Sequence, residues 1–516
     1  MTNKSYHSNY VKIYFWQGAA FILRFLSMFI VTPYLTKEPS TYGIYAVCLS
    51  VTIFLNYADL GFLRAGQKYA AEYYAKGVQI EEMKYIGFGT FILLIFASLC
   101  AILFLYFGYN PQALIKGLDS AQKISTASEL LIILAIFTPV TVLQRMVYMI
   151  FDIRLDSYIN QRISLFASII TIISVLYFFR NDHYQIVLYF LFSQSINFIA
   201  VLICLFLAKH KYNYNIGQLF RYVHFDPVVY QRVKSLAFSG LYVMILWIAF
   251  YELDQVVIGK FLGADKVAIY AIAFAFASFF RSIYGILFSP FTVRANYFVG
   301  NKDDEGLKRF CFQLLTLSAP LVLLPTIAFA IVAKPFIMSW VGANYNESVD
   351  LARFFSLIFT LSFISYSATM ILTAKVRLKE MYIISTIQPI IYWIGILSTY
   401  SILGLLSFGS FKLIATVVSE VFYFYILVKF LNLSWKELYH RILYPIILPL
   451  VFLITSLAFA DRYLPYEKSK INLFIVIGTT GLCILTSFLI QYMTSSYIRT
   501  VAKNLIGTVL NHKQQL

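Results

Sequence analysis

Residues 85–107 read YIGFGTFILLIFASLCAILFLYF, a run without a single charged side chain. As a helix rising 1.5 Å per residue, a run of this length crosses the roughly 30 Å hydrocarbon core of a bilayer. Its apolar residues are continuous rather than alternating with polar ones, which selects a helix over a barrel strand. Working outward from this segment, comparable runs recur near 12–34, 42–60, 84–107, 128–152, 159–179, 184–208, 235–258, 267–291, 311–334, 350–373, 381–404, 410–430, 441–460 and 471–492. That makes fourteen spans, with boundaries soft by several residues. The first run carries Arg24 and lacks a small-residue cleavage site, so it reads as a retained helix rather than a signal peptide. Composition agrees with the pattern. The 516 residues are 60% hydrophobic and 13% charged, where soluble domains carry about 25% charged residues. A soluble fold could not hide that much apolar surface. The expected fold class is therefore all-α, a polytopic membrane protein of about fourteen transmembrane helices.

The net charge of +17 could suggest a nucleic-acid partner, but the placement of Lys and Arg excludes that reading. With the N-terminus in the cytoplasm, twenty-six of the 41 basic residues fall in cytoplasmic segments, among them Arg64, Lys68, Arg154, Lys211, Arg232, Lys375, Lys503 and Lys513. Ten fall in the outer loops. This asymmetry orients multi-pass proteins and predicts both termini inside. The longest connectors, near 60–84, 209–234 and 292–310, are cytoplasmic. The first of these alternates Tyr69, Ala70, Tyr73 and Tyr74 with Lys68, Glu72 and Lys76, as in an amphipathic helix lying on a membrane surface. Outer loops are too short to house a catalytic domain, which argues against an enzyme. The five cysteines (Cys48, Cys100, Cys204, Cys311 and Cys483) show no paired spacing, so neither a metal site nor a disulfide framework is expected.

An internal repeat organises the chain. Ile44-Tyr45-Ala46 opens the second run and Ile269-Tyr270-Ala271 opens the eighth. Each is preceded by an aromatic-Leu pair and a short charged loop. The expected halves are 1–234 and 235–430, six spans each and related by an axis along the membrane normal, with a central cleft between them as the substrate path. Residues 431–516 would add two further spans and a cytoplasmic tail.

Several motifs carry a family resemblance. Pro33-Tyr34-Leu35, Tyr42-Gly43-Ile44-Tyr45-Ala46 and Asp59-Leu60-Gly61 are followed by the basic stretch with Arg64 and Lys68. They recur in part as Asp254-Gln255-Val256-Val257-Ile258-Gly259-Lys260-Phe261-Leu262-Gly263 and Ile269-Tyr270-Ala271. A third match is Trp340-Val341-Gly342-Ala343-Asn344-Tyr345. Together these resemble the polysaccharide transporter family, the O-antigen and exopolysaccharide flippases of the multidrug/oligosaccharidyl-lipid/polysaccharide exporter superfamily. One departure is Ala268, where that family often has Gly.

The resemblance implies a flippase of the bacterial plasma (inner) membrane. It would move undecaprenyl-pyrophosphate-linked oligosaccharide from the cytoplasmic to the outer leaflet by alternating access, making and breaking no bond. No cofactor is implied beyond a proton or sodium gradient. The implied partners are the lipid-linked glycan, membrane lipid, and the polymerase and chain-length regulator that act on the flipped unit. A related drug exporter, a lipid II flippase and an integral-membrane enzyme of glycan assembly are the alternatives. The first would favour acidic cavities, whereas the charge within the spans here is mostly basic.

A pyrophosphate needs cations. A charge at mid-membrane costs at least about 2.5–3.5 kcal/mol and tends to face a cavity or a partner, and Arg grips phosphate oxygens through paired hydrogen bonds. Arg24, Arg145 and Arg281 lie within spans 1, 4 and 8 and are the candidate substrate-binding residues; a structural ion pair, or snorkelling to the nearer headgroups, is the competing account of each. Arg353 and Lys412 sit near outer ends and are expected to snorkel. Glu420, Asp254 and Asp59 are candidates for cation coupling or for an ion pair with one of the arginines. Glu252 and Asp254, two apart, would point about 200° from each other on a helix. Gln17, Asn56, Gln144, Gln194, Asn197 and Gln388 are expected to bond between helices more than to a glycan.

Overall fold

The computed structural model describes residues 3–180, 184–375, 377–432, 435–496 and 498–500. Lys503 and Lys513, used above for topology, lie outside the described residues. The described secondary structure is helical, with no strand. By packing, the chain divides into two units, Met1–Ala268 and Ile269–Leu516.

The first unit contains α1 (Asn3–Leu35), α2 (Pro39–Val51), α3 (Ile53–Asn56), α4 (Phe62–Ala75), α5 (Gln79–Tyr109), α6 (Ala121–Ile153), α7 (Ser157–Phe178), α8 (Ile186–Tyr212), α9 (Ile216–Arg221), α10 (Pro227–Trp247) and α11 (Asp254–Phe261). Within it, α5 packs against α4 and α6, α7 against α1 and α8, and α2 against α6 and α11. The seventh expected span, α10 with α11, packs with the first six: α10 lies on α4 and α5. The packing boundary after residue 268 thus differs from the symmetry boundary at 234/235 drawn from the repeat.

The second unit begins within α12 (Ala264–Gly300) and continues with α13 (Asp304–Trp340), α14 (Ser348–Ile358), α15 (Ser362–Ala374), α16 (Leu378–Leu403), α17 (Leu406–Leu431), α18 (Trp435–Leu438), α19 (Tyr444–Ala460) and α20 (Lys470–Thr494). Here α13 packs against α14, α15, α19 and α20, while α17 packs against α14, α15 and α16.

Eleven of these helices are long and apolar enough to cross a membrane, and two bent helix pairs, 227–252 and 348–374, bring the total to as many as 13. The expected run at 42–60 is not among them because it is not one helix. It splits into a 13-residue α2 and a 4-residue α3. At the break, the Thr52 hydroxyl donates to the Leu49 carbonyl at 2.6 Å, the side-chain competition by which Thr interrupts helices.

Local chemistry sets the other ends. Asp226 accepts from the Val228 and Val229 N–H groups and is followed by Pro227, so α10 starts with a side-chain cap and a proline whose missing N–H is not needed. Asp303 caps α13 by accepting from Gly306 N–H at 2.8 Å, with Asp304 and Glu305 in the first turn. α8 ends on Lys209, His210 and Lys211, and Asn213 takes the left-handed conformation that closes it.

The shared motifs acquire physical reasons. A Cβ on Gly43 would lie 1.8 Å from the Ala264 carbonyl oxygen. Only a residue without a side chain permits that backbone approach. In Asp59-Leu60-Gly61 both Leu60 (φ 47°) and Gly61 (φ 80°) are left-handed, and a Cβ on Gly61 would meet the Ala237 carbonyl oxygen of α10 at 2.9 Å.

Candidate substrate site

In the first unit, Arg145 on α6 is held by the turn that follows α3. Its Nη2–H donates to Asp59 Oδ1 at 2.7 Å and its Nη1–H to the Leu55 carbonyl at 3.2 Å. Asp59 is buried, and its other carboxylate oxygen has no hydrogen-bond partner. Two of the sequence candidates therefore meet, as an ion pair. One turn of the same helix carries a polar relay. Gln144 donates to Asn197 Oδ1 and to the Tyr148 hydroxyl, both at 3.1 Å, and Tyr148 lies 2.8 Å from the Ser164 hydroxyl. Gln144 and Asn197 thus bond between α6 and α8. Arg24 is exposed on α1, and among the described residues its side chain has no ion pair. Asp254 is buried at the start of α11, directly after a π-helical turn, Ile248–Glu252. Glu252 accepts from the Trp247 indole N–H at 3.3 Å. Glu252 closes the π turn and Asp254 opens α11, so the two carboxylates do not lie on one straight helix.

A stronger charge cluster in this unit escaped the sequence reading. Arg154, at the end of α6, donates from Nη1 to Glu82 Oε1 (2.8 Å) and from Nη2 to Glu82 Oε2 (3.0 Å), and also to the Ile150 carbonyl (2.9 Å). Both side chains are essentially buried, 5% and 1% exposed. The rings of Tyr74, Tyr212 and Tyr214 surround the guanidinium at 4.6, 5.0 and 5.0 Å. Next to it, Asp156 accepts from Lys211 Nζ and from the Tyr212 hydroxyl, both at 2.6 Å. Burial, and then the Glu82 charge, push the Tyr214 phenol well above its ordinary value. The partners lie 72 residues apart, so no local pattern announces them.

In the second unit, Arg281 on α12 and Lys412 on α17 both stand over the Phe274 ring, at 5.9 and 5.6 Å. Lys412 also lies 4.8 Å from the centre of Tyr392. Contrary to the expectation of snorkelling, Lys412 is 2% exposed; its position on α17 turns it into the bundle. Arg353, by contrast, is exposed and pairs with Asp350 at 3.0 Å. Glu420, two turns beyond Lys412 on α17, is also buried, with one carboxylate oxygen lacking a hydrogen-bond partner. Ser365 stands against it, and Tyr366 lies within electrostatic reach of both Glu420 and Arg281. Two cations on aromatic faces beside a buried carboxylate can take an anion and adjust its charge balance. Among the described residues no group of His, Cys, Asp and Glu is arranged to hold a metal ion.

The long apolar helices define a multi-pass membrane protein. Among the solved structures that share its fold are the following three. The first is a lipid II flippase, MurJ, in an inward closed conformation, at TM-score 0.67 and 16% identity, covering 93% of this chain and 99% of that one. The second is an inward-facing multidrug resistance MATE family transporter of the MOP superfamily, at TM-score 0.60 and 12% identity, covering 79% and 94%. The third is an outward-facing transporter of the same description, at TM-score 0.54 and 11% identity, covering 82% and 95%. The chain has the MOP-type transporter fold, and its residues 241–392 match the family model described as MatE. No curated protein sequence matches it.

Proposed function

We propose that the protein is a MOP-superfamily flippase that carries undecaprenyl-pyrophosphate-linked oligosaccharide from the cytoplasmic to the outer leaflet of the bacterial plasma membrane by alternating access. The observation that carries this reading is the pair of cations, buried Lys412 and half-buried Arg281, over the ring of Phe274. Charges held at membrane depth are costly and mark a substrate path, and the sign here suits a pyrophosphate. The motifs that resemble those of polysaccharide transporters support the substrate class. Both termini face the cytoplasm in this reading, and the polymerase and chain-length regulator act after it. Arg24 and Arg145 contribute to anion passage, with Asp59 setting the Arg145 position. Glu420 is the candidate site for a coupling proton.

A lipid II flippase is the second reading, favoured by the MurJ-like fold over 93% of the chain. One experiment separates them. In cells depleted of their own flippase, the Arg24→Ala/Arg281→Ala double variant, at unchanged protein level, abolishes surface polysaccharide under the first reading. Full export by that variant overturns it. Rescue of cells lacking lipid II transport, without effect on surface polysaccharide, establishes the second.

A further inference from the structure

The second unit contains a cavity of about 180 Å³ between α12 and α15, lined by Gly285, Phe288, Thr292, Tyr366, Thr369 and Thr373 among others. At about 30 Å³ per water it holds the equivalent of about six waters, the scale of one sugar ring. Its wall is amphiphilic and uncharged. Phe288 and Tyr366 stack in parallel, 4.6 Å apart with 2° between their planes, and the threonines add methyl groups and hydroxyls. Helical threonines in this protein commonly donate to the carbonyl four residues back, as Thr316, Thr326 and Thr369 do. Thr292 does not. Among the described residues neither its hydroxyl nor that of Tyr366 has a hydrogen-bond partner. Two uncommitted hydroxyls therefore line one cavity, where a few convergent polar groups on an apolar wall confer specificity.

The cavity is also placed relative to charge. Gly285 lies four residues after Arg281 on α12, one helical turn or about 6 Å along the axis. Tyr366, on the opposite wall, lies within electrostatic reach of Arg281 and of Glu420. A neutral, hydroxyl-rich group attached directly to a phosphate held at Arg281 reaches this wall. A pyranose matches it, offering C–H faces to the rings and hydroxyls to Thr292 and Tyr366. An acyl chain would leave those hydroxyls unpaired.

We propose that this cavity is the subsite for the sugar nearest the pyrophosphate, so that Thr292 and Tyr366 read the first residue of the glycan. The inference rests on the flippase reading above. It is tested with the full-length protein in nanodiscs, using undecaprenyl pyrophosphate and undecaprenyl-pyrophosphoryl-N-acetylglucosamine as probes. The wild type binds the sugar-bearing lipid more tightly. Thr292→Val/Tyr366→Phe, which deletes two hydroxyls with little change of shape, weakens that lipid about tenfold and leaves the sugar-free one unchanged. Gly285→Leu projects into open space, fills the cavity and produces the same selective loss, so the conclusion does not depend on one variant folding. Arg281→Ala weakens both lipids. If the hydroxyl and cavity-filling variants leave the sugar-bearing lipid unaffected, or weaken both lipids equally, the subsite is refuted while the flippase reading stands. If the wild type binds neither lipid, both fall.

Discussion

Removing Arg154 leaves Glu82 as a buried charge with its counter-ion gone. Glu82 is 1% exposed, and both of its oxygens accept from the one guanidinium. Breaking a buried pair from one side costs about 3–5 kcal/mol, because the remaining charge stays uncompensated. The three tyrosine rings lose a cation worth about 0.5–2 kcal/mol each, but these contacts share one group and do not add. Arg154→Ala is therefore expected to lose about 3–5 kcal/mol, a large share of a typical total near 5–15 kcal/mol. Arg154→Met combined with Glu82→Leu removes both charges and keeps apolar volume, so it should fall within about 2 kcal/mol of wild type. The assay is a double-mutant cycle of Arg154→Met, Glu82→Leu and their combination on purified protein in detergent, read by thermal or denaturant unfolding. The double variant must be more stable than either single variant. An Arg154→Ala protein within about 1 kcal/mol of wild type, or a double variant worse than both singles, refutes the reasoning.

Four further outcomes are expected. Gly43→Val drives a branched side chain into the Ala264 carbonyl, which lies 1.8 Å from the Cβ position, and should lower the unfolding midpoint far more than Gly18→Val on α1, where nothing stands within 4 Å. Lys412→Met should lower reconstituted lipid transport at least about tenfold if that charge grips substrate; an unchanged transport rate refutes that role. Asp59→Ala should cost about 3 kcal/mol by leaving the Arg145 guanidinium partly unpaired, and Asp59→Ala/Arg145→Leu should recover part of it in the same unfolding assay. Glu420→Gln removes the buried carboxyl proton site, so the pH dependence of transport should flatten; an unaltered profile removes Glu420 from coupling.

The class of the protein was legible in its residues alone. Hydropathy summed over about twenty residues is a local and nearly additive quantity, so the helical spans, their apolar faces and the bias of Lys and Arg were legible without contacts. The motifs were legible too, although their causes were not. Gly43 is required by a carbonyl 221 residues away in the chain, and Gly61 by another on α10. Tertiary structure alone decided which carboxylate each arginine met: Asp59 for Arg145, 86 residues away, and Glu82 for Arg154, 72 residues away. It also turned Lys412 inward rather than toward the headgroups and broke the run at 42–60 into two helices. The physical reason is common to all of these. Insertion into a bilayer depends on the average polarity of a segment, whereas the fate of a single charge depends on the rotation of its helix and on which distant helix packs against that face.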